Sequence, residues 1–197
     1  ESRVDSGAVF KHPIKRARTT FTYLAVALLG TTEEKLAYRK AVSRAHAEVY
    51  STEKSPVKYR GLDANLQLWV AACLFWGVLD TLEKFRGDVP PEKAAELMQL
   101  VQPLATTLQV RPEQWPSDIP AFKAYWEAEI GKLKIDNSVR KFLADIIELK
   151  FLPPPVSVVL GPLYRFITAG FLPPPIRQEM HIEWGANQQR TFDFIIR

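Results

Sequence analysis

Residues 63–87 read DANLQLWVAACLFWGVLDTLEKFRG, and this stretch decides the fold class. Asp63 is a residue type whose carboxylate accepts the unpaired amides at a helix start. An apolar run over 66–79 follows, interrupted by Gln67 and closed by Asp80. Gly87 and the Pro90-Pro91 pair are stop signals. The pattern predicts one long helix over about 63–85. Its apolar part, 14 residues, falls short of the roughly 20 that span a bilayer. It is expected as a central buried helix.

Helices are predicted on both sides of it. Pro13 suits a first helical turn and Gly30 a helix end, giving a helix over 13–29. Thr31 or Thr32 caps the next, with Glu33 and Glu34 in its positive first turn, running to about Tyr50. The polar stretch STEKSPVKYRG, 51–61, is a loop. Further helices are expected at 91–108, kinked or ended by Pro103, and at 118–133 and 137–150, capped by Asp118 and Asp136. Two like phrases, Phe151-Leu152-Pro153-Pro154-Pro155 and Phe171-Leu172-Pro173-Pro174-Pro175, are read as stiff turns around a short helix over 157–169. Strand alternation is nearly absent. The expectation is an all-α single domain of eight or nine helices.

The 197 residues are 47% hydrophobic and 24% charged, which excludes disordered and fibrous classes. Cys73 alone excludes an internal disulfide framework and a multi-Cys metal site. Three histidines, His12, His46 and His181, leave little for a multi-His metal centre. A net charge of +4 does not argue for nucleic acid. The basic run from Lys11 to Arg18 lacks interleaved aromatics and reads as a solvated helix start. The chain opens at Glu1, as a processed chain or a piece of a longer one does, and ESRVDSGAVFKH holds no signal-peptide core. No phosphate loop, Gly-x-Ser-x-Gly elbow, His-Glu-x-x-His or paired-carboxylate motif occurs, which weakens hydrolase, kinase and nucleotide-dehydrogenase readings.

Two polar placements stand out. On the second helix Val42, Ala45, His46 and Val49 form one stripe at i, i+3, i+4 and i+7. His46 is then either a core histidine with a hydrogen-bond partner or an imidazole ligand to a metal or haem iron. On the first helix Arg16 and Thr20 share a face that Tyr23, Leu24 and Ala27 continue. They suit anion or propionate binding with a hydroxyl donor beside a pocket. Alternatively Arg16 reaches solvent and Thr20 bonds back to the Arg16 carbonyl. Cys73, among Ala71, Ala72, Leu74 and Phe75, reads as a small buried residue rather than a thiolate ligand.

Taken in order, these residues resemble a known family. Arg16-Ala17-Arg18-Thr19-Thr20-Phe21-Thr22-Tyr23 leading to Gly30 is similar to the Arg-x-x-x-Thr helix of the rubber oxygenase catalytic domain. Bacterial latex-clearing proteins and the fungal oxygenase of mycophenolic acid biosynthesis share that domain. Arg44-Ala45-His46-Ala47-Glu48-Val49 resembles its His-Ala-x-Val helix. Tyr59-Arg60-Gly61-Leu62-Asp63 through Leu68-Trp69-Val70 resembles its Tyr-x-x-x-Asp…Trp-Val segment. Thr168-Ala169-Gly170-Phe171-Leu172-Pro173 with Arg177 resembles its Thr-x-x-Leu-Pro…Arg close. The likeness runs over about 7–185.

The resemblance implies an all-helical fold, globin-like in having a helical haem pocket, that binds haem b with His46 as proximal iron ligand. Arg16 and Thr20 would lie near the haem pocket as cofactor-binding and catalytic residues. The implied chemistry is a haem-dependent oxidation with O2 of a lipophilic isoprenoid or polyketide-like substrate, in the best-known members by C=C cleavage. A non-redox binding protein or cyclase for a lipophilic ligand on the same fold is the alternative. Thr19 replaces the lysine of the latex-clearing branch, which implies an open or water-bound distal side. Ala71 replaces the histidine of Trp-Val-His, as in fungal members. The family domain extends N-terminal to this start, so 1–197 is expected as one oxygenase-like domain lacking those helices. Partners are then a lipophilic small molecule and O2, with no nucleic acid, no spanning segment and peripheral membrane association. The expected location is intracellular, cytoplasmic or associated with the endoplasmic reticulum.

Overall fold

The computed structural model describes residues 9–53, 55 and 57–196. The sequence reading of 1–8, and that of the loop at Lys54 and Pro56, lie outside the described residues. Among these residues the chain is all-α: ten helices form, eight of them eleven residues or longer, with one 3-10 turn at Pro112–Gln114. The ten are α1 Pro13–Leu29, α2 Thr32–Ala47, α3 Ala64–Arg86, α4 Pro91–Val101, α5 Pro103–Thr106, α6 Ile119–Ile130, α7 Asn137–Ile147, α8 Pro154–Phe171, α9 Pro174–Glu179 and α10 Ala186–Ile196. The isolated β-bridge described joins Tyr50 to Arg60.

The expected caps form. Thr31 Oγ1 accepts the Glu34 amide at 3.2 Å while Glu34 Oε2 accepts the Thr31 amide at 2.7 Å, satisfying two orphan donors reciprocally. Asp63 Oδ1 accepts the Asn65 amide at 2.8 Å, and Asp136 Oδ1 accepts those of Ser138 and Val139 at 2.8 and 2.9 Å. α1 starts at Pro13 and closes where the Gly30 amide meets the Val26 carbonyl. α3 closes before Gly87, at φ 84. Pro103 interrupts the fourth helical stretch as expected, because it lacks an amide for the i−4 bond.

Three expectations are corrected. α2 ends at Ala47, not near Tyr50, because the Tyr50–Arg60 bridge draws the chain away. The helix expected over 157–169 is α8, Pro154–Phe171, and Pro174 and Pro175 open α9. The proline phrases are therefore helix starts: proline has a preset φ, and its missing amide is an orphan in a first turn anyway. α3 has 23 residues and by length and composition alone is long and apolar enough to cross a membrane. Its stripe of Leu68, Ala71, Ala72 and Phe75 is nonetheless buried, as a core helix requires, while Val70 is exposed.

The fold gathers into two compact units, one of Glu1–Trp76 and Pro90–Phe122, the other of Gly77–Val89 and Lys123–Arg197. In the first, Phe75 is fully buried, edge-on to Phe122 at 4.6 Å and to Trp115 at 6.4 Å. α1 is tied in by Tyr23, whose hydroxyl donates to the Leu104 carbonyl at 2.7 Å. Burial pushes that phenol up to about 12, so it remains a donor.

In the second unit Phe192 is the buried anchor, edge-on to Phe171 at 5.1 Å and to Trp184 at 6.0 Å. Gly170 admits it: a Cβ there would lie 2.1 Å from the Phe192 ring. Arg177, in the last turn of α9, lies over Trp184 at 5.2 Å and donates to the Ala169 carbonyl at 3.1 Å. This residue of the closing motif thus holds α8 to the 177–184 segment. Glu179 gathers the 134–140 segment, accepting from Lys134 Nζ at 3.0 Å and the Ile135 amide at 2.9 Å.

Candidate functional site

The chain around His46 is built by two returns. After α2 the backbone runs out through the loop and comes back antiparallel. The Ser51 amide donates to the Tyr59 carbonyl at 2.9 Å and the Gly61 amide to the Val49 carbonyl at 2.7 Å. The Val49 amide in turn donates to the His46 carbonyl at 3.0 Å. This places Gly61 against the His46 backbone: a Cβ on Gly61 would lie 2.7 Å from the His46 carbonyl oxygen and 3.1 Å from Val49 Cβ. Only glycine fits that approach.

The stripe is shallow: on α2 Val42 and His46 are half-buried and Ala45 exposed, and half-buried Val49 lies beyond the helix end. His46 is nevertheless the one imidazole set into it. Its Nδ1 is buried and, among the described residues, has no hydrogen-bond partner. The core-histidine reading expected a hydrogen-bond partner, and Nδ1 finds none among these residues. Desolvation, and then the positive charge of Arg16, lower the His46 pKa from 6.5 because both disfavour imidazolium. The ring is therefore neutral at pH 7, with a lone pair available.

Arg16 on α1 thus acts on His46 through its charge, and no hydrogen bond joins the two among the described residues. The face of α1 grades as expected, from exposed Arg16 and Thr20 through half-buried Tyr23 and Leu24 to buried Ala27. Thr20 does not bond back to the Arg16 carbonyl. That carbonyl is met by Thr19 Oγ1 at 3.3 Å, which also donates to the Lys15 carbonyl at 2.5 Å. Among the described residues Thr20 Oγ1 makes no hydrogen bond, and none joins it to His46. The Arg16 side chain likewise forms no ion pair among them. A groove of about 600 Å³ runs along α2, lined by Leu36, Arg39, Lys40, Ser43, Arg44 and Ala47. His46, Arg16 and Thr20 do not line it.

A haem group asks of the protein one neutral nitrogen donor beside an apolar slot; His46 offers the neutral nitrogen, while the groove along α2 is not lined by it. Cys73 does not compete: burial pushes its thiol up to about 11, away from the thiolate that ligates iron. Among the described residues no group of three His, Cys, Asp or Glu is placed to hold a metal ion.

The charge effect has a checkable consequence. Between its lowered native value and 6.5, the native ring binds fewer protons than the unfolded one, so protonation opposes the native state as pH falls. In ¹H NMR the His46 Hε1 resonance is expected to titrate below 6.5 and to move upward in Arg16→Gln. A wild-type midpoint at or above 6.5 would contradict the described environment.

Sequence reasoning missed Gly61, Gln67, Gln109 and Ser43 as supports of this region. One signal was available: Gln67 is the polar interruption of an apolar run, and it is 8% exposed.

Comparison with known proteins bears on these residues. The model of a family described as ER-bound oxygenase mpaB/B'/rubber oxygenase, catalytic domain, matches residues 3–197. Uncharacterized proteins of Mycobacterium tuberculosis and of Mycobacterium bovis are each 46% identical over 196 residues, covering 100% of this chain and 77% of their own. No solved structure matches the chain.

Proposed function

Because this chain belongs to the ER-bound oxygenase mpaB/B'/rubber oxygenase catalytic-domain family, we propose that it is a haem-dependent oxygenase. In this reading His46 holds haem b and the enzyme uses O2 to oxidise a lipophilic substrate of the isoprenoid or polyketide kind. The observation that carries it is the buried, unpartnered Nδ1 of an imidazole kept neutral. When bound, haem b supplies the redox-active iron at which O2 is activated.

The chain's own contributions follow from its side chains. His46 presents a neutral nitrogen that needs no deprotonation before ligation. Arg16, in no ion pair among the described residues and felt by His46 as a positive charge, offers a fork of donors for a carboxylate such as a haem propionate. Thr20, one turn on, offers a hydroxyl that makes no hydrogen bond among the described residues as a donor toward a bound molecule. Half-buried Leu24 continues that face with apolar surface, which favours a lipophilic substrate over water. Thr19, whose hydroxyl is spent on its own helix, would offer no amine to a bound haem.

Titration of ferric haem b into the purified protein tests this reading. A Soret band growing to one haem per chain is expected. No Soret band would overturn it and leave the non-redox alternative, a binding protein or cyclase for a lipophilic ligand.

A further inference from the structure

We infer that Gln67 is a positioning residue for His46, acting through Gly61 as the hub of a buried amide network. The inference rests on the proposed role of His46 and adds a residue to it.

The network is closed. Gln67 Nε2 donates to the Gly61 carbonyl at 2.9 Å and to Gln109 Oε1 at 2.6 Å. Gln67 Oε1 accepts the Gln109 amide at 2.9 Å. Gln109 Nε2 donates to Ser43 Oγ at 2.8 Å. Both hydrogens of the Gln67 amide nitrogen and its oxygen are therefore used, at a position 8% exposed. A buried amide left unpaired is costly, so full pairing resists any shift that would break one of these bonds.

Both arms of the network end beside His46. One holds Ser43, three residues before it on α2. The other holds Gly61, which lies against the His46 carbonyl and whose amide is bonded to Val49. Gln67 stands at the start of α3, a helix fixed by the buried Phe75. The frame of the first unit is thereby coupled to the end of α2 at two points, Ser43 and the His46 carbonyl. A polar residue in an apolar run is otherwise a cost. Hydrophobic residues would fill its volume without fixing the Gly61 return.

Gln67→Met keeps length and bulk while removing every bond the side chain makes. Met98→Ala, in the same unit but outside these hydrogen bonds, serves as the variant that destabilises by a cavity alone. Two readouts are taken. In the haem-free protein, hydrogen exchange at the Gly61 and Val49 amides is expected to accelerate about tenfold or more in Gln67→Met relative to Met98→Ala. With ferric haem b added, Gln67→Met is expected to bind about 10–100-fold more weakly and with a shifted Soret maximum. Met98→Ala is expected to keep the wild-type maximum.

Unchanged exchange in Gln67→Met, or wild-type haem affinity and spectrum in it, overturns the positioning role. Absence of a Soret band in the wild type overturns the haem reading, and this inference with it. A wild-type band that Gln67→Met leaves intact overturns the positioning alone.

Discussion

Phe75→Ala is expected to lower the unfolding free energy by about 3–5 kcal/mol, the range for deleting a large buried aromatic. Phe75 is 0% exposed and edge-on to two rings, Phe122 at 4.6 Å and Trp115 at 6.4 Å. Neither aromatic partner sits on a chain end free to collapse into the space. Such a loss is a large share of the 5–15 kcal/mol that keeps a domain folded. Chemical denaturation followed by tryptophan fluorescence measures it: the midpoint falls while the denaturant slope is unchanged. A loss below about 1 kcal/mol would show that the first unit is not organised around this cluster.

Gly61→Ala is the second large effect, and its sign is decided by two opposing terms. At an ordinary backbone conformation an added methyl stabilises by about 0.4–1 kcal/mol, by restricting the unfolded chain. Gly61 lies outside the left-handed region, so that gain applies. Against it, the new Cβ would stand 2.7 Å from the His46 carbonyl oxygen, a backbone atom that a rotamer change cannot move. Overpacking of this kind costs about 1–3 kcal/mol, and the net is destabilising. The strand-like return must back away from α2, so haem affinity is expected to fall about tenfold or more. Thermal unfolding and haem titration of the variant measure the two parts. A more stable variant with wild-type haem affinity would contradict the close approach.

Much of the fold was legible because its signals are local. Thr31, Asp63 and Asp136 announce helix starts through side chains that bond amides two or three residues on, and Pro103 announces a break through the amide it lacks. The proline phrases were misread by the same locality: proline stiffens a turn and opens a helix equally well, and here Pro154 and Pro174 stand in first helical turns. α10 gave little warning, since ANQQRTF is polar and its anchor, Phe192, declares itself only against Phe171 and Trp184.

The site divides in the same way. The spacing of Val42, Ala45 and Val49 put His46 on a stripe, and the grading from Arg16 to Ala27 was readable along one helix. That Arg16 acts on His46 depends on how α1 and α2 pack. That Gln67 meets Gln109, 42 residues away, depends on tertiary structure entirely. The missing partner of Nδ1, on which the functional reading turns, is a property of three-dimensional surroundings that no spacing encodes.

In the proposed reading His46 supplies the one protein nitrogen a haem needs. The visible spectrum of ferric haem b bound to wild type and to His46→Ala, without and with added imidazole, tests this role. The expected result is a saturable Soret band in the wild type, its loss or weakening in His46→Ala, and its restoration by free imidazole. A His46→Ala protein that binds haem with wild-type affinity and an unchanged Soret maximum would contradict it.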